Sequence, residues 1–207
     1  ASARDLEARG ARGPVPTAAL DLALPAGFEA ALAAADEALG GFDTLVVTGG
    51  LADRPEVLQR DMGRLEQMLH VNFTGTVVLC QMAAERLAAR GGGRLCVFSS
   101  VAGDRPRRSN YLYGASKAGL SAFLEGLGHA YAERGVSVVC VKPGFVKTGL
   151  TEGLPVPPFA GEPEPVARTV LRALDAGRRV VYAPPLWRWL MLVIRSLPHA
   201  VMRRIRF

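Results

Sequence analysis

Acidic residues are missing from the carboxyl end of this 207-residue chain. None follows Asp175, whereas Arg178, Arg179, Arg188, Arg195, Arg203, Arg204 and Arg206 all lie beyond it. That end therefore has no carboxylate of its own to neutralise its charge. The chain carries a net +6, so everything before the tail is close to neutral. Lysine is scarce as well: Lys117, Lys142 and Lys147 are the only three among 25 basic residues. A function that needs a compact primary ammonium is thus confined to three positions, since a guanidinium has a different shape and a delocalised charge. Cysteine is limited to Cys80, Cys96 and Cys140, each in an apolar stretch and without metal or redox spacing. This excludes a disulfide framework and fits buried thiols in a reducing, cytoplasmic setting. His70, His129 and His199 form no cluster, so no metal is assigned. No apolar run is long enough to span a bilayer, and no nucleic-acid-binding motif stands behind the basic end.

What is present is an alternation of strand and helix signals. With 49% hydrophobic and 21% charged residues, a single α/β domain with a sizeable core is expected. A short strand should end near Asp21, after Pro14–Leu20. An alanine-rich helix should run from Ala26 to Leu39, stopped by Gly40-Gly41. Thr44–Val47 reads as a strand, and Glu56–Ala89 as one long helix or two abutting ones. Arg94–Ser99 is a second strand, followed by a helix from about Tyr111 to Glu133. Val136–Val141 is a strand, Glu164–Asp175 a helix and Arg179–Tyr182 a final strand. Apolar strands separated by helices predict a parallel, doubly wound sheet of Rossmann-like type. Ligands in such sheets bind at the carboxyl ends of the strands.

The most informative spacing is Tyr113-Gly-Ala-Ser-Lys117, with Ser100 thirteen residues before the tyrosine. Residues four apart share a helix face, and Ser100 ends the apolar run Leu95–Phe98. A phenol, an ammonium and a hydroxyl can meet there. The ammonium is expected to favour phenolate and bring the phenol's acidity nearer neutral pH, while Ser100 donates a hydrogen bond where negative charge develops. Taken singly, a Tyr-x-x-x-Lys pair is an exposed helix face and a Ser-Ser pair is a cap or turn.

Together with Val97-Phe-Ser-Ser-Val-Ala-Gly103, Pro143-Gly-Phe-Val-Lys-Thr148 and Asn72 in His70-Val-Asn-Phe-Thr-Gly75, this pattern resembles the short-chain dehydrogenase/reductase family in order and spacing. The resemblance implies that Tyr113 is the general acid or base and that Lys117 also holds the nicotinamide ribose. It implies that Ser100 orients the carbonyl and Asn72 keeps a water in the proton relay. It also implies cofactor contacts from Asp21 and Leu22 to adenine, and from Thr48, Gly49 and Gly50 after the strand Thr44–Val47. Pro143, Gly144 and Val146 would face the nicotinamide amide, and Thr148 a phosphate. Arg4 stands where NADP-using relatives place a cation, so NADP is expected, with NAD as the alternative.

One part of the family pattern has no match. Gly10-Ala-Arg-Gly13 is followed by Pro14 rather than a helix, and Ala1–Asp5 resembles the end of the family's second strand. The expectation is a fragment, or a misplaced start, of a longer enzyme, with weak dinucleotide affinity; the alternative is a non-catalytic binding protein on the same scaffold. Residues 1–184 are expected to form the reductase domain and 185–207 a basic, amphipathic segment broken at Pro198. That segment, with Trp187-Arg-Trp-Leu-Met-Leu-Val-Ile194, suits either an anionic membrane surface or a covering helix with a solvated arginine rim. The proline-rich stretch Leu150–Pro165 would form a substrate lid. Ser99–Tyr113, Val180–Pro184 and Arg195–Arg204 resemble the branch of the family that reduces a decaprenylphosphoryl 2-keto-pentose, which implies a lipid-linked keto substrate. The family also implies a homodimer or homotetramer pairing through the helix that carries Tyr113. Only 94 residues follow Tyr113, which argues against the longer epimerase and dehydratase branch.

Overall fold

The computed structural model describes residues 8, 10, 13–153 and 156–204. Its centre is a four-stranded parallel sheet in sequential order: β1 (Thr44–Val47), β2 (Gly93–Phe98), β3 (Val136–Pro143) and β4 (Val180–Ala183). The expected Rossmann-like α/β architecture is the one observed. β3 pairs along its length with β2 and, through its last four residues, with β4. Because successive side chains point to opposite faces of a strand, its two faces feed two cores. Leu95, Val97, Val138 and Cys140 face one cluster, and Cys96, Val139 and Val141 face the other. Burial on both faces explains why these strands read as continuous apolar runs.

The first face is covered by three helices. These are α1 (Phe28–Leu39), α4 (Thr76–Ala89) and α5 (Tyr111–Tyr131), which contribute Leu32, Leu79, Ala83, Leu87, Leu120 and Leu124. Each fully buried leucine is worth about 1.5–3 kcal/mol. Gly40, in the left-handed conformation, ends α1 as expected. Asp36 then ties α1 to α4 by accepting from Arg86 at 2.6 Å and Arg90 at 2.5 Å. The second face is covered by α6 (Pro163–Asp175) through Val166, Val170, Ala173 and Leu174.

The stretch expected to be helical over Glu56–Ala89 is more segmented. α2 (Pro55–Leu58) and α3 (Met62–Leu69) precede a π-helical turn, His70–Gly75, which runs without a break into α4. Beyond β4 lie α7 (Leu186–Ser196) and α8 (His199–Met202), separated at Pro198 as expected. The three cysteines are free and buried. No helix of the described residues is long and apolar enough to cross a membrane.

One expected element is absent. Residues 14–20 form no strand, and Asp21 opens a turn. A strand needs a neighbour to accept and donate its ladder hydrogen bonds, and in this sheet β1 is the edge strand. Residues 14–20 do not pair with it, so no described strand covers the outer edge of β1.

Candidate active site

The site is assembled where α5 crosses the end of β2, and glycines permit the approach. A Cβ on Gly103 would lie 2.7 Å from the backbone of Lys117 and Ala118, and one on Gly114 would lie 2.8 Å from the Ala102 carbonyl oxygen. Only glycine at both positions lets the turn after Ser100 lie flush against the first turns of α5. Ser99 fastens the same junction. Its buried hydroxyl donates to the Lys117 carbonyl at 3.0 Å and shares a 2.7 Å hydrogen bond with Ser121.

Ser100 lies just after β2 and caps the short 3-10 turn Val101–Gly103, its Oγ accepting from the Ala102 N–H at 3.1 Å. The capping and functional readings of this serine are therefore compatible, because a hydroxyl that accepts from the backbone can still donate elsewhere. Tyr113 is half-buried and hydrogen-bonds with Ser100. Burial pushes the phenol's pKa up, and the Ser100 bond partly opposes this. The expected lowering by Lys117 is absent: burial raises the phenol's pKa, and Ser100 alone opposes it.

Lys117 is only 4% exposed. Its ammonium donates to the Phe98 carbonyl at 3.0 Å and lies 5.9 Å from the centre of the Tyr113 ring. Burial pushes its pKa down to about 8. An ammonium has three donors, and the Phe98 carbonyl takes one. Asn72 is fully buried in the π-helical turn, where its carboxamide is doubly engaged with Leu51. Oδ1 accepts from the Leu51 N–H and Nδ2 donates to the Leu51 carbonyl, both at 2.7 Å, with a longer bond to Ser116 at 3.3 Å. This side chain thus braces the loop after β1 against α5, with one lone pair of Oδ1 still unused.

Gly50 forms the adjoining wall. A Cβ there would sit 3.3 Å from Asn72 Oδ1 and 3.5 Å from Lys117 Nζ. Gly49 abuts Leu22, whose Cδ1 would be 2.9 Å from an added Cβ. The Leu22 carbonyl in turn presses on Gly75, where no other residue fits: a Cβ would lie 1.7 Å from that oxygen. Leu22, Gly49 and Gly50 are therefore brought together with Asn72 and Lys117. Thr48 is exposed beside them. Asp21 is exposed and accepts from the Ala23 N–H at 2.8 Å, closing a local turn. Arg4 lies outside the described residues.

The Pro143–Thr148 segment behaves differently from expectation in one respect. Pro143 is the last residue of β3, and the Gly144 N–H donates to the Ala183 carbonyl at 3.1 Å. The open side of Gly144 is filled by Trp187 of α7, whose indole would be 2.0 Å from a Cβ. Gly144 thus serves the packing of α7. Val146 bridges to Gly161, and Thr148 caps a short turn with Thr151, its backbone N–H donating to the Thr151 hydroxyl at 3.0 Å.

Two parts of the site are not visible from sequence spacing. One is the wall made by α7, with Trp187, Met191 and Ile194 packed on Val101 next to Ser100. The other is a buried polar cluster below it. Asp104 accepts from Lys142 Nζ at 2.5 Å and from the Tyr182 hydroxyl at 2.6 Å. The only sequence signal for that cluster is a lysine ending an otherwise apolar strand.

Comparison with known proteins decides the lineage. The short chain dehydrogenase family model matches residues 2–156. The chain belongs to this family. It is 38% identical over 166 residues to an uncharacterized oxidoreductase of Mycobacterium tuberculosis, covering 80% of this chain and 67% of that protein. Among solved structures, the 3-oxoacyl-[acyl-carrier protein] reductase of Brucella melitensis in complex with NAD matches with a TM-score of 0.74 at 28% identity, over 87% of this chain and 80% of that one. The gluconate 5-dehydrogenase of Burkholderia cenocepacia in complex with NADP and tartrate matches with a TM-score of 0.66 at 25% identity, over 73% of this chain and 59% of that one.

Proposed function

We propose that this chain interconverts a ketone and a secondary alcohol, using NADP or NAD as the partner in hydride transfer. The observation that carries the reading is the convergence of Ser100, Tyr113 and Lys117 at the end of β2. When bound, a reduced nicotinamide supplies the hydride. Tyr113, a phenol protonated at neutral pH and held further so by burial, is in the right form to give a proton to the developing alkoxide. Ser100 can donate its hydroxyl proton to the same oxygen while its lone pair remains on the Ala102 N–H. Lys117 has donors left for hydroxyl groups such as a ribose diol, and Gly50 keeps the space before it open. Thr48 and Thr148 could contribute hydroxyls along the same groove.

The residues present thus fit the ribose and nicotinamide end of a dinucleotide. Among the described residues, no strand, glycine-rich turn and helix amino end combine to hold a pyrophosphate. Affinity of this chain for the dinucleotide should therefore be weak, and sub-micromolar binding in a calorimetric titration would refute that. NADP is the first cofactor to test and NAD the second.

As substrate class we put forward a keto-sugar linked to a polyprenyl phosphate. The support is the basic, apolar carboxyl segment, which packs directly behind Ser100 through Val101. The stretch 150–165 would cover it as a lid, and a homodimer or homotetramer would pair through α5. The decisive experiment follows oxidation of NADPH or NADH at millimolar concentration with a panel of ketones. Tyr113→Phe should lower turnover by about a thousandfold and leave dinucleotide affinity within about twofold, since the phenol's hydroxyl acts on the substrate oxygen. Turnover retained in that variant would overturn the assignment.

A further inference from the structure

Helix α7 has two apolar faces, and only one is accounted for by the fold. Trp187, Met191 and Ile194 are buried against Val101 and Gly144. The helix is further pinned at its end, where Arg105 donates to the Leu197 carbonyl at 2.7 Å. The opposite side carries Leu186, Trp189, Leu192 and Val193, with Trp189 64% and Leu192 63% exposed. At 3.6 residues per turn these four occupy one arc of about 120°. Arg188 is exposed at its border, its guanidinium 5.7 Å from the Trp189 ring centre, while Arg195 reaches back toward the Tyr182 hydroxyl, and Arg203 and Arg204 are exposed beyond α8.

We propose that this outer face of α7, with its arginine border, docks on an anionic membrane surface and so holds the catalytic site at the bilayer. An apolar arc with tryptophan at its centre and arginines at its edge matches the interface between acyl chains and anionic headgroups. No acidic residue after Asp175 opposes that attraction. A second copy of the chain is a poorer occupant, because a two-fold contact through this face would set one arginine border against the other. The inner-face packing gives the docked helix a fixed orientation relative to Ser100. This inference deepens the lipid-linked substrate reading above, but its binding step requires neither cofactor nor carbonyl.

The test is co-sedimentation with vesicles of phosphatidylcholine alone and of phosphatidylcholine mixed with phosphatidylglycerol. The chain should bind the anionic vesicles, and raised salt should weaken the binding. Arg188→Gln and Arg203→Gln should each reduce it by about fivefold, and Leu192→Glu by about tenfold or more. Brominated lipid in anionic vesicles should quench tryptophan emission of the unaltered chain, a readout that does not depend on a variant folding. Tyr113→Phe should bind vesicles like the parent, so loss of the catalytic proposal and loss of this one are separable. Equal partition to neutral and anionic vesicles, or no quenching, would overturn the proposal. So would Leu192→Glu splitting an oligomer on a sizing column.

Discussion

Lys117 and Lys142 lie on either side of the turn that follows β2, yet they are treated in opposite ways. Lys142, 13% exposed along its side chain, meets Asp104, which is 3% exposed, in a close ion pair, with the Tyr182 hydroxyl on the second carboxylate oxygen. Lys117 is more deeply buried and, among the described residues, has only the Phe98 carbonyl as a hydrogen-bond acceptor, its pKa falling to about 8. A buried ammonium without a carboxylate costs stability. A paired one costs little until its partner is removed. The difference separates a lysine kept available for a ligand from a lysine that holds the scaffold, and it shows that spacing alone cannot tell which is which.

The contrast can be broken most severely at Asp104. Asp104→Ala would leave Lys142 buried and unpaired, and should destabilise the protein by about 3–5 kcal/mol in denaturant unfolding. A loss below 1 kcal/mol would mean that the pair is not buried in solution. Lys117→Met should act in the other direction. Removing the desolvated ammonium should raise stability by about 1–2 kcal/mol, while turnover and dinucleotide affinity both fall. A destabilised Lys117→Met would show instead that the bond to Phe98 outweighs the cost of burial.

The same lysine predicts a pH trend. Its folded pKa lies below the unfolded value, so between about pH 8 and about pH 10 the unfolded chain binds more protons. Stability should therefore rise with pH across that window, and the rise should vanish in Lys117→Met. The smallest effect is expected for Tyr182→Phe. It removes one hydrogen bond to Asp104 while Lys142 remains, for a loss of about 1–2 kcal/mol, and it should leave turnover nearly unchanged. The Tyr182 phenol, pushed up to about 12 by burial and then by Asp104, should also stay protonated in a spectroscopic titration to pH 11.

Much of this was legible in the chain. Thr44–Val47 is a strand as its apolar run predicts, and both ends of α5 follow from Tyr113-Gly-Ala-Ser-Lys117 and Gly135 to within a turn. Ser100, Tyr113 and Lys117 are brought together because helical spacing and a strand end are local properties. Non-local matters were not legible. The strand expected before Asp21 needs a pairing partner that no local pattern can supply. The inward turn of Trp187 depends on Gly144, more than forty residues earlier, and the tail's alternating aromatics and arginines do not reveal which face is buried. The Asp104 cluster joins three separate segments, and only folding brings them into register.

The π-helical turn at His70–Gly75 has a consequence for how this protein can change. Such a turn holds one more residue than an α-helix accommodates. Deleting one of these six positions would let the coil tighten to α-helical winding, and the helix after it would keep its phase. Leu79 and Ala83 would stay on the sheet, and the cost would fall on Asn72 and its two hydrogen bonds to Leu51. The extra residue of the turn is thus what aims Asn72 at the loop after β1, and Gly75 within it tolerates no side chain at all.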